Sequence, residues 1–145
     1  MANIIPFAFR GELFSGTHDF SNGGNQFKIA LYLTNPYSTA STVYLTSGEV
    51  SASNTGYTTK GQPLGSQAVA SGTAVASVDF ADSVINSATF TAAFAAIYNT
   101  TNVDGTAGRL CVVLDFGGNK TATNGTFTIS FPNPSTPANA IISMA

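Results

Sequence analysis

Few residues in this chain are equipped for chemistry. There is one histidine and one cysteine. His18 stands in Gly16-Thr17-His18-Asp19-Phe20 with an aspartate beside it. A Ser/His/Asp or Cys/His hydrolase would need this imidazole as its base and a nucleophile presented on a sharp elbow, and no such motif accompanies it. The expectation is instead that the His18 ring bonds a backbone group and fixes its loop. Asp79 and Asp82 flank Phe80-Ala81 and offer two oxygens, where calcium takes six to eight, so they read as solvated charges at a strand end. Glu12, Glu49, Asp104 and Asp115 include possible carboxylate pairs of the glycosidase kind, but nothing in the sequence selects a pair. Gly23-Gly24-Asn25 and Gly117-Gly118-Asn119 fit neither phosphate-loop pattern and read as turns. Five tyrosines, Tyr32, Tyr37, Tyr44, Tyr57 and Tyr98, could build a sugar-stacking platform or a protein contact. The reading is therefore of a non-enzyme, with no catalytic residue, cofactor site or metal site.

Composition narrows the partners. Only 8% of the 145 residues are charged, five Lys or Arg and seven Asp or Glu, where about a quarter is usual. The basic residues Arg10, Lys28, Lys60, Arg109 and Lys120 are scattered singly, which argues against nucleic acid. No apolar run approaches the roughly 20 residues of a membrane span. Met1-Ala2-Asn3-Ile4-Ile5-Pro6 lacks the basic and apolar regions of a signal peptide, so synthesis into cytoplasm is expected. Cys111 lies inside Leu110-Cys111-Val112-Val113-Leu114 and reads as a buried, inert thiol.

The elements that must position these groups are strands. Phe27, Ile29, Leu31 and Leu33 alternate with Lys28, Ala30 and Tyr32, putting one row on a core and leaving the other free. Gly65 to Ala70 and Thr73 to Phe80 form a hairpin about Ser71-Gly72. Further strands are predicted at Thr89 to Tyr98, Arg109 to Phe116, Phe127 to Phe131 and Ala140 to Met144. Asp104-Gly105, Gly117-Gly118-Asn119 and Asn124-Gly125 are expected at loop tips. Pro6 and Gly16 bracket an N-terminal helix of about ten residues, weakened by Gly11. The sum is one all-β domain over residues 1–145, an antiparallel two-sheet sandwich or jelly roll, with residues 1–16 as a short N-terminal helix or arm and the strands within 27–144.

Eighty residues are Thr, Ser, Asn, Gly or Ala. A free monomer ordinarily wears Lys and Glu to stay soluble and to guard its sheet edges, so a neutral surface suits a protein packed in many copies against others. Leu13-Phe14-Ser15-Gly16-Thr17-His18-Asp19-Phe20, Phe27-Lys28-Ile29-Ala30-Leu31 and Glu49-Val50 with Gly56-Tyr57 resemble a family of small proteins encoded by tailed phages and prophages. Ala96-Ile97-Tyr98-Asn99, Leu114-Asp115-Phe116-Gly117 and Asn124-Gly125-Thr126-Phe127-Thr128-Ile129 extend the resemblance to about residues 7–131. The resemblance implies a virion structural part, foremost a capsid decoration or cement protein on the outside of the head. Its partners would be the major capsid protein and itself, as a homotrimer at local threefold positions. The alternatives it leaves are a tail, head-completion or fibre-associated protein, or a glycan-binding module displayed on the particle. For the capsid or subunit interface the expected residues are Ile4, Ile5, Phe7, Phe9, Tyr37 and Tyr44. The apolar N-terminal stretch either inserts into a neighbour or covers the open end of its own sandwich.

Overall fold

The structure, a computed structural model, describes residues 2–72, 74–132 and 140–144. The chain is all-β with two antiparallel sheets and one short N-terminal helix. Strand β1 (Phe27–Tyr32) lies between β2 (Gln62–Leu64) and β5 (Ser83–Asn99), and β6 (Arg109–Ile129) completes a four-stranded sheet in the order β2-β1-β5-β6. The second sheet joins β3 (Ala68–Ser71), β4 (Ala76–Asp79) and β7 (Ile142–Met144) in the order β3-β4-β7. The expected β3–β4 hairpin is present with shorter strands; Thr73, its expected first residue after the turn, lies outside the described residues.

Strand β1 departs from the simple alternation. Phe27, Ile29 and Leu31 enter the main core with Phe80, Ile97 and Val112, but Ala30 and Tyr32 are fully buried on the opposite face. A second apolar cluster with Tyr37, Tyr98, Leu110 and Val113 covers them. The row expected to be free is covered, because a small residue and an aromatic that finds a hydroxyl partner both tolerate enclosure.

The larger correction concerns β5 and β6. Separate strands were expected at 89–98, 109–116 and 127–131, yet β5 runs 17 residues and β6 runs 21 without a break. Gly117-Gly118 and Asn124-Gly125 are irregularities within β6. Ala92 faces Lys120 and Phe94 faces Asp115, so three extra residues are accommodated on β6 where Gly117 and Gly118 take φ of 71° and 129°. Lower down, Ser87 on β5 and Asn124 on β6 adopt φ of 53° and 48° beside single-residue register shifts. A residue that tolerates positive φ serves a bulge as readily as a hairpin tip, and only the partner strand decides which.

Helix α1 (Phe7–Phe14) starts at Pro6 and ends before Gly16, whose φ is 71°. Phe9 is fully buried, 5.0 Å from the His18 ring and 6.2 Å from Phe20, and Phe20 stacks on Phe27 at 4.5 Å. The helix therefore caps the chain's own core. Two glycines give opposite expectations. Gly61 has φ of 79°, and a Cβ there would sit 2.1 Å from the Ile29 carbonyl oxygen, so Gly61→Ala is expected to cost about 3 kcal/mol. At Gly11, mid-helix, a Cβ meets nothing within 4 Å, so Gly11→Ala is expected to stabilise by about 0.5–1 kcal/mol. Urea midpoints of both variants check the pair.

Candidate functional site

Two clusters gather the ionisable and hydroxyl side chains, and both are built inward. The first sits where α1 meets the ends of β5 and β6. Glu12 comes from α1, and its two oxygens take different partners: Arg109 Nη1 donates to Oε1 at 2.6 Å, and His18 Nε2 pairs with Oε2 at 2.8 Å. The other histidine nitrogen, Nδ1, lies 3.1 Å from Asn99 Nδ2 and 3.9 Å from Cys111 Sγ. Arg109 also donates from Nη2 to the Val103 carbonyl at 3.2 Å. Cys111 and Asn99 are fully buried, and the His18 side chain has no exposed surface.

This juxtaposition of thiol, imidazole and carboxylate is not arranged for nucleophilic catalysis. A reactive cysteine needs a depressed pKa and access. Burial pushes the Cys111 thiol well above its ordinary value, as does the nearby Glu12 charge. Cys111 is the buried thiol the sequence suggested. The backbone partner expected for His18 is replaced by two side chains, a carboxylate and an amide, drawn from elements that sequence reading had no reason to connect.

The second cluster unites all five tyrosines around Glu49. Tyr44 donates its hydroxyl to Glu49 Oε2; Tyr57 donates to Oε1 at 2.7 Å, and the Lys60 backbone N–H donates to Oε1 at 2.8 Å. Tyr57 Oη also accepts from the Leu31 N–H at 3.1 Å, tying the 50–61 segment to β1. Tyr98 donates to the Lys60 carbonyl at 2.5 Å and stacks on Tyr44 at 4.6 Å. Beside them the Tyr32 and Tyr37 hydroxyls bond at 2.7 Å, Tyr32 donates to the Leu45 carbonyl at 2.7 Å, and Tyr37 accepts from the Leu45 N–H at 3.0 Å. Burial, foremost, pushes all five phenols above their ordinary pKa; the Glu49 charge adds to the effect.

The tyrosine arrangement overturns the sugar-platform expectation, since Tyr32, Tyr37, Tyr57 and Tyr98 are buried and their hydroxyls are spent inside the chain. It also corrects two residues named for an interface. Tyr37 is 6% exposed, and Phe9 is enclosed in its own core. Tyr44 is half-buried on Tyr98. Ile4 exchanges both backbone hydrogen bonds with Val113, and Ile5 packs on the core. Of the N-terminal residues named, Phe7 alone is exposed, at 61%. Phe14, which sequence reading missed, is 91% exposed. Its seven-residue spacing from Phe7, two helical turns, was the available signal.

The remaining acids do not converge. Asp82 accepts from the Phe131 N–H at 2.9 Å, and Asp115 accepts from the Gly117 N–H at 2.8 Å. Among the described residues no group of three His, Cys, Asp or Glu could hold a metal ion. A cavity of about 650 Å³ follows β6 and is walled by Leu114, Phe116, Phe127, Ile129 and Phe131, with Asp115 and Lys120 as its ionisable residues. A second of about 280 Å³ lies between Leu13, Phe20, Val78 and Ile142 and reaches His18 and Asp19. No protein-family model, curated protein or solved structure matches the chain.

Two outcomes follow from the tyrosine cluster. Glu49→Ala leaves two phenols and an amide without their acceptor and is expected to cost about 3 kcal/mol in urea unfolding, while Glu49→Gln, which keeps one carbonyl oxygen, costs about 1 kcal/mol. Because every phenol is raised in the folded state, the native protein is expected to show almost no phenolate absorbance near pH 10. The unfolded chain releases protons there first, so this contribution to stability is complete below about pH 10 and is lost above it. Tyrosine absorbance against pH, read beside circular dichroism, checks both the silence and the cooperative alkaline unfolding.

Proposed function

We propose that this chain is a structural protein of a phage particle, a capsid decoration protein that seats on the outside of the head and ties neighbouring major capsid subunits together. The reading rests first on one observation, the outer face of α1. Phe7 and Phe14 lie two turns apart on that face, 61% and 91% exposed, and Gly11 between them leaves the face flat. The Arg10 guanidinium lies 5.3 Å from the centre of the Phe7 ring. Burying one such ring is worth roughly 1.5–3 kcal/mol, and a shell that repeats the contact many times multiplies a modest gain.

The surroundings suit a neutral, fitted contact. Only Arg10, Asp19, Lys60, Asp82, Asp104 and Lys120 among the charged residues are exposed. Glu12 and Arg109 neutralise each other, and Glu49 is enclosed by donors. A partner approaching this surface has few ions to strip of water, which is the largest penalty a polar interface can impose. In this reading the capsid subunit covers Phe7 and Phe14, and three copies meet around a local threefold position. The sequence resemblance to small tailed-phage proteins supports the same assignment.

The test mixes the purified chain with empty shells assembled from the major capsid protein of the same genome and sediments them. The chain is expected in the pellet at a fixed ratio to capsid subunits. A double variant, Phe7→Ser with Phe14→Ser, keeps its core residues and is expected to fold normally and to bind at least about tenfold more weakly, given what two buried rings contribute. A chain that stays in the supernatant, or a double variant that binds like the parent, overturns the reading.

A further inference from the structure

Between pH 5 and 7.5 only one side chain here has an ordinary pKa in range, the single histidine. Its neighbours dictate its protonation. Asn99 is locked in orientation: its Oδ1 accepts from the Thr101 N–H at 3.0 Å and its Nδ2 donates to Asn25 Oδ1 at 2.8 Å. Asn25 is locked in turn, because the same Oδ1 accepts from the Asp19 N–H at 2.9 Å. Asn99 therefore points an N–H at His18 Nδ1, which must accept, and the imidazole proton resides on Nε2, where it is donated to Glu12. A second proton has no good place. An imidazolium is a donor at both nitrogens, and on Nδ1 it would face the Asn99 NH₂ and a weakly accepting thiol.

We propose that protonation of His18 is an acid-triggered release, which ejects the ring from its slot between Glu12 and Asn99 and loosens α1 with the 15–19 turn while residues 20–25 and the two sheets stay folded. The groups facing the ring are Glu12 from α1, Asn99 from β5, Arg109 and Cys111 from β6, and Asn25 from the loop itself. Asp19, next in sequence, turns its carboxylate away to the Ser21 N–H and hydroxyl. Among the described residues, the second sheet presents no ionisable side chain to the cavity it shares with His18. Glu12 attracts a cation, but Arg109 already occupies its other oxygen. Burial outweighs that attraction and holds the His18 pKa below its ordinary 6.5. The folded state thus binds the proton less tightly than the unfolded segment, so this contact is complete above about pH 6.5 and drains away below it.

The release is local because α1 depends on its docking, whereas residues 20–25 and the sheets have anchors of their own. An eight-residue helix does not sustain itself in water. Apart from the His18 slot, α1 and its flanks are tied down by the Ile4–Val113 bridge, the Phe7 N–H to the Thr39 carbonyl, the Glu12–Arg109 pair and the packing of Phe9 and Leu13, while residues 20–25 stay pinned by Phe20 stacked on Phe27 and by Gln67 Nε2, which donates to the Ser21 and Asn25 carbonyls. Loss of the slot removes one anchor of the 15–19 turn and one of two side-chain partners from Glu12. The strands of both sheets carry no histidine. The device needs no bound partner.

Cys111 lies under the slot, fully buried, and is a built-in reporter. Its reaction with 4,4′-dithiodipyridine, divided by the rate of the urea-unfolded chain at the same pH, measures opening. From pH 7.5 to 5.0 the protection is expected to fall about tenfold, with the strand circular dichroism unchanged. His18→Gln keeps an amide donor towards Glu12 and cannot titrate, so its protection is expected to be flat across that range. Asn99→Asp supplies an acceptor for the Nδ1 proton and is expected to suppress or reverse the acid loss, which keeps the test open should the glutamine variant fold poorly. Constant protection in the parent, acid loss persisting in His18→Gln, or parental behaviour in Asn99→Asp overturns the proposal.

Discussion

The constraint underlying this structure is that both faces of the four-stranded sheet are covered, although only one small sheet is available to cover them. The second face, bearing Ala30, Tyr32, Ala96 and Tyr98, is closed by irregular chain from residues 33 to 60. Irregular chain brings backbone N–H and C=O groups that have no ladder to join, and enclosing them unpaired is costly. The Glu49 carboxylate answers that cost with two phenols and a backbone amide at once, and the Tyr37 and Tyr32 hydroxyls serve both backbone groups of Leu45. Tyrosine suits this work because one side chain fills the apolar layer and carries a donor and acceptor to its edge.

The same economy takes some charge off the surface. Glu12 and Arg109 consume each other, and Glu49 consumes donors. Charges used inside cannot decorate the outside, so the surface is left to Thr, Ser, Asn and Ala. A neutral surface is poorly guarded against pairing with other chains, a liability in a free monomer and an asset in a protein meant to be covered.

Legibility in the sequence followed the range of the interaction. β1 and the β3–β4 hairpin were readable because period-two alternation and a Ser-Gly turn are local, and α1 was readable from Pro6 and Gly16. The continuity of β6 was hidden, since Gly117-Gly118 carries the same local signal at a bulge as at a hairpin tip and only the register against Ala92 and Phe94 separates them. The tyrosine cluster was invisible for a different reason. Its members are identical in type but meet through Glu49, Leu45 and Lys60 across loops of no fixed period. His18 and Asn99, 81 residues apart, share no pattern in the sequence. What sequence did supply was the inventory: one imidazole, one thiol and seven acids.

The two surfaces of α1 bind these threads together. Phe9, Glu12 and Leu13 face inward at spacings of three and four, while Phe7 and Phe14 face outward seven apart. An eight-residue helix has no stability of its own, so its outward face exists only while its inward face is docked. Any contact made by Phe7 and Phe14 therefore favours the docked state by whatever free energy it gains there, and by reciprocity anything that loosens Glu12 and His18 weakens that contact by the same amount. The helix thereby couples a buried imidazole to an exposed aromatic pair across its own diameter, roughly 10 Å, with no rearrangement of either sheet required.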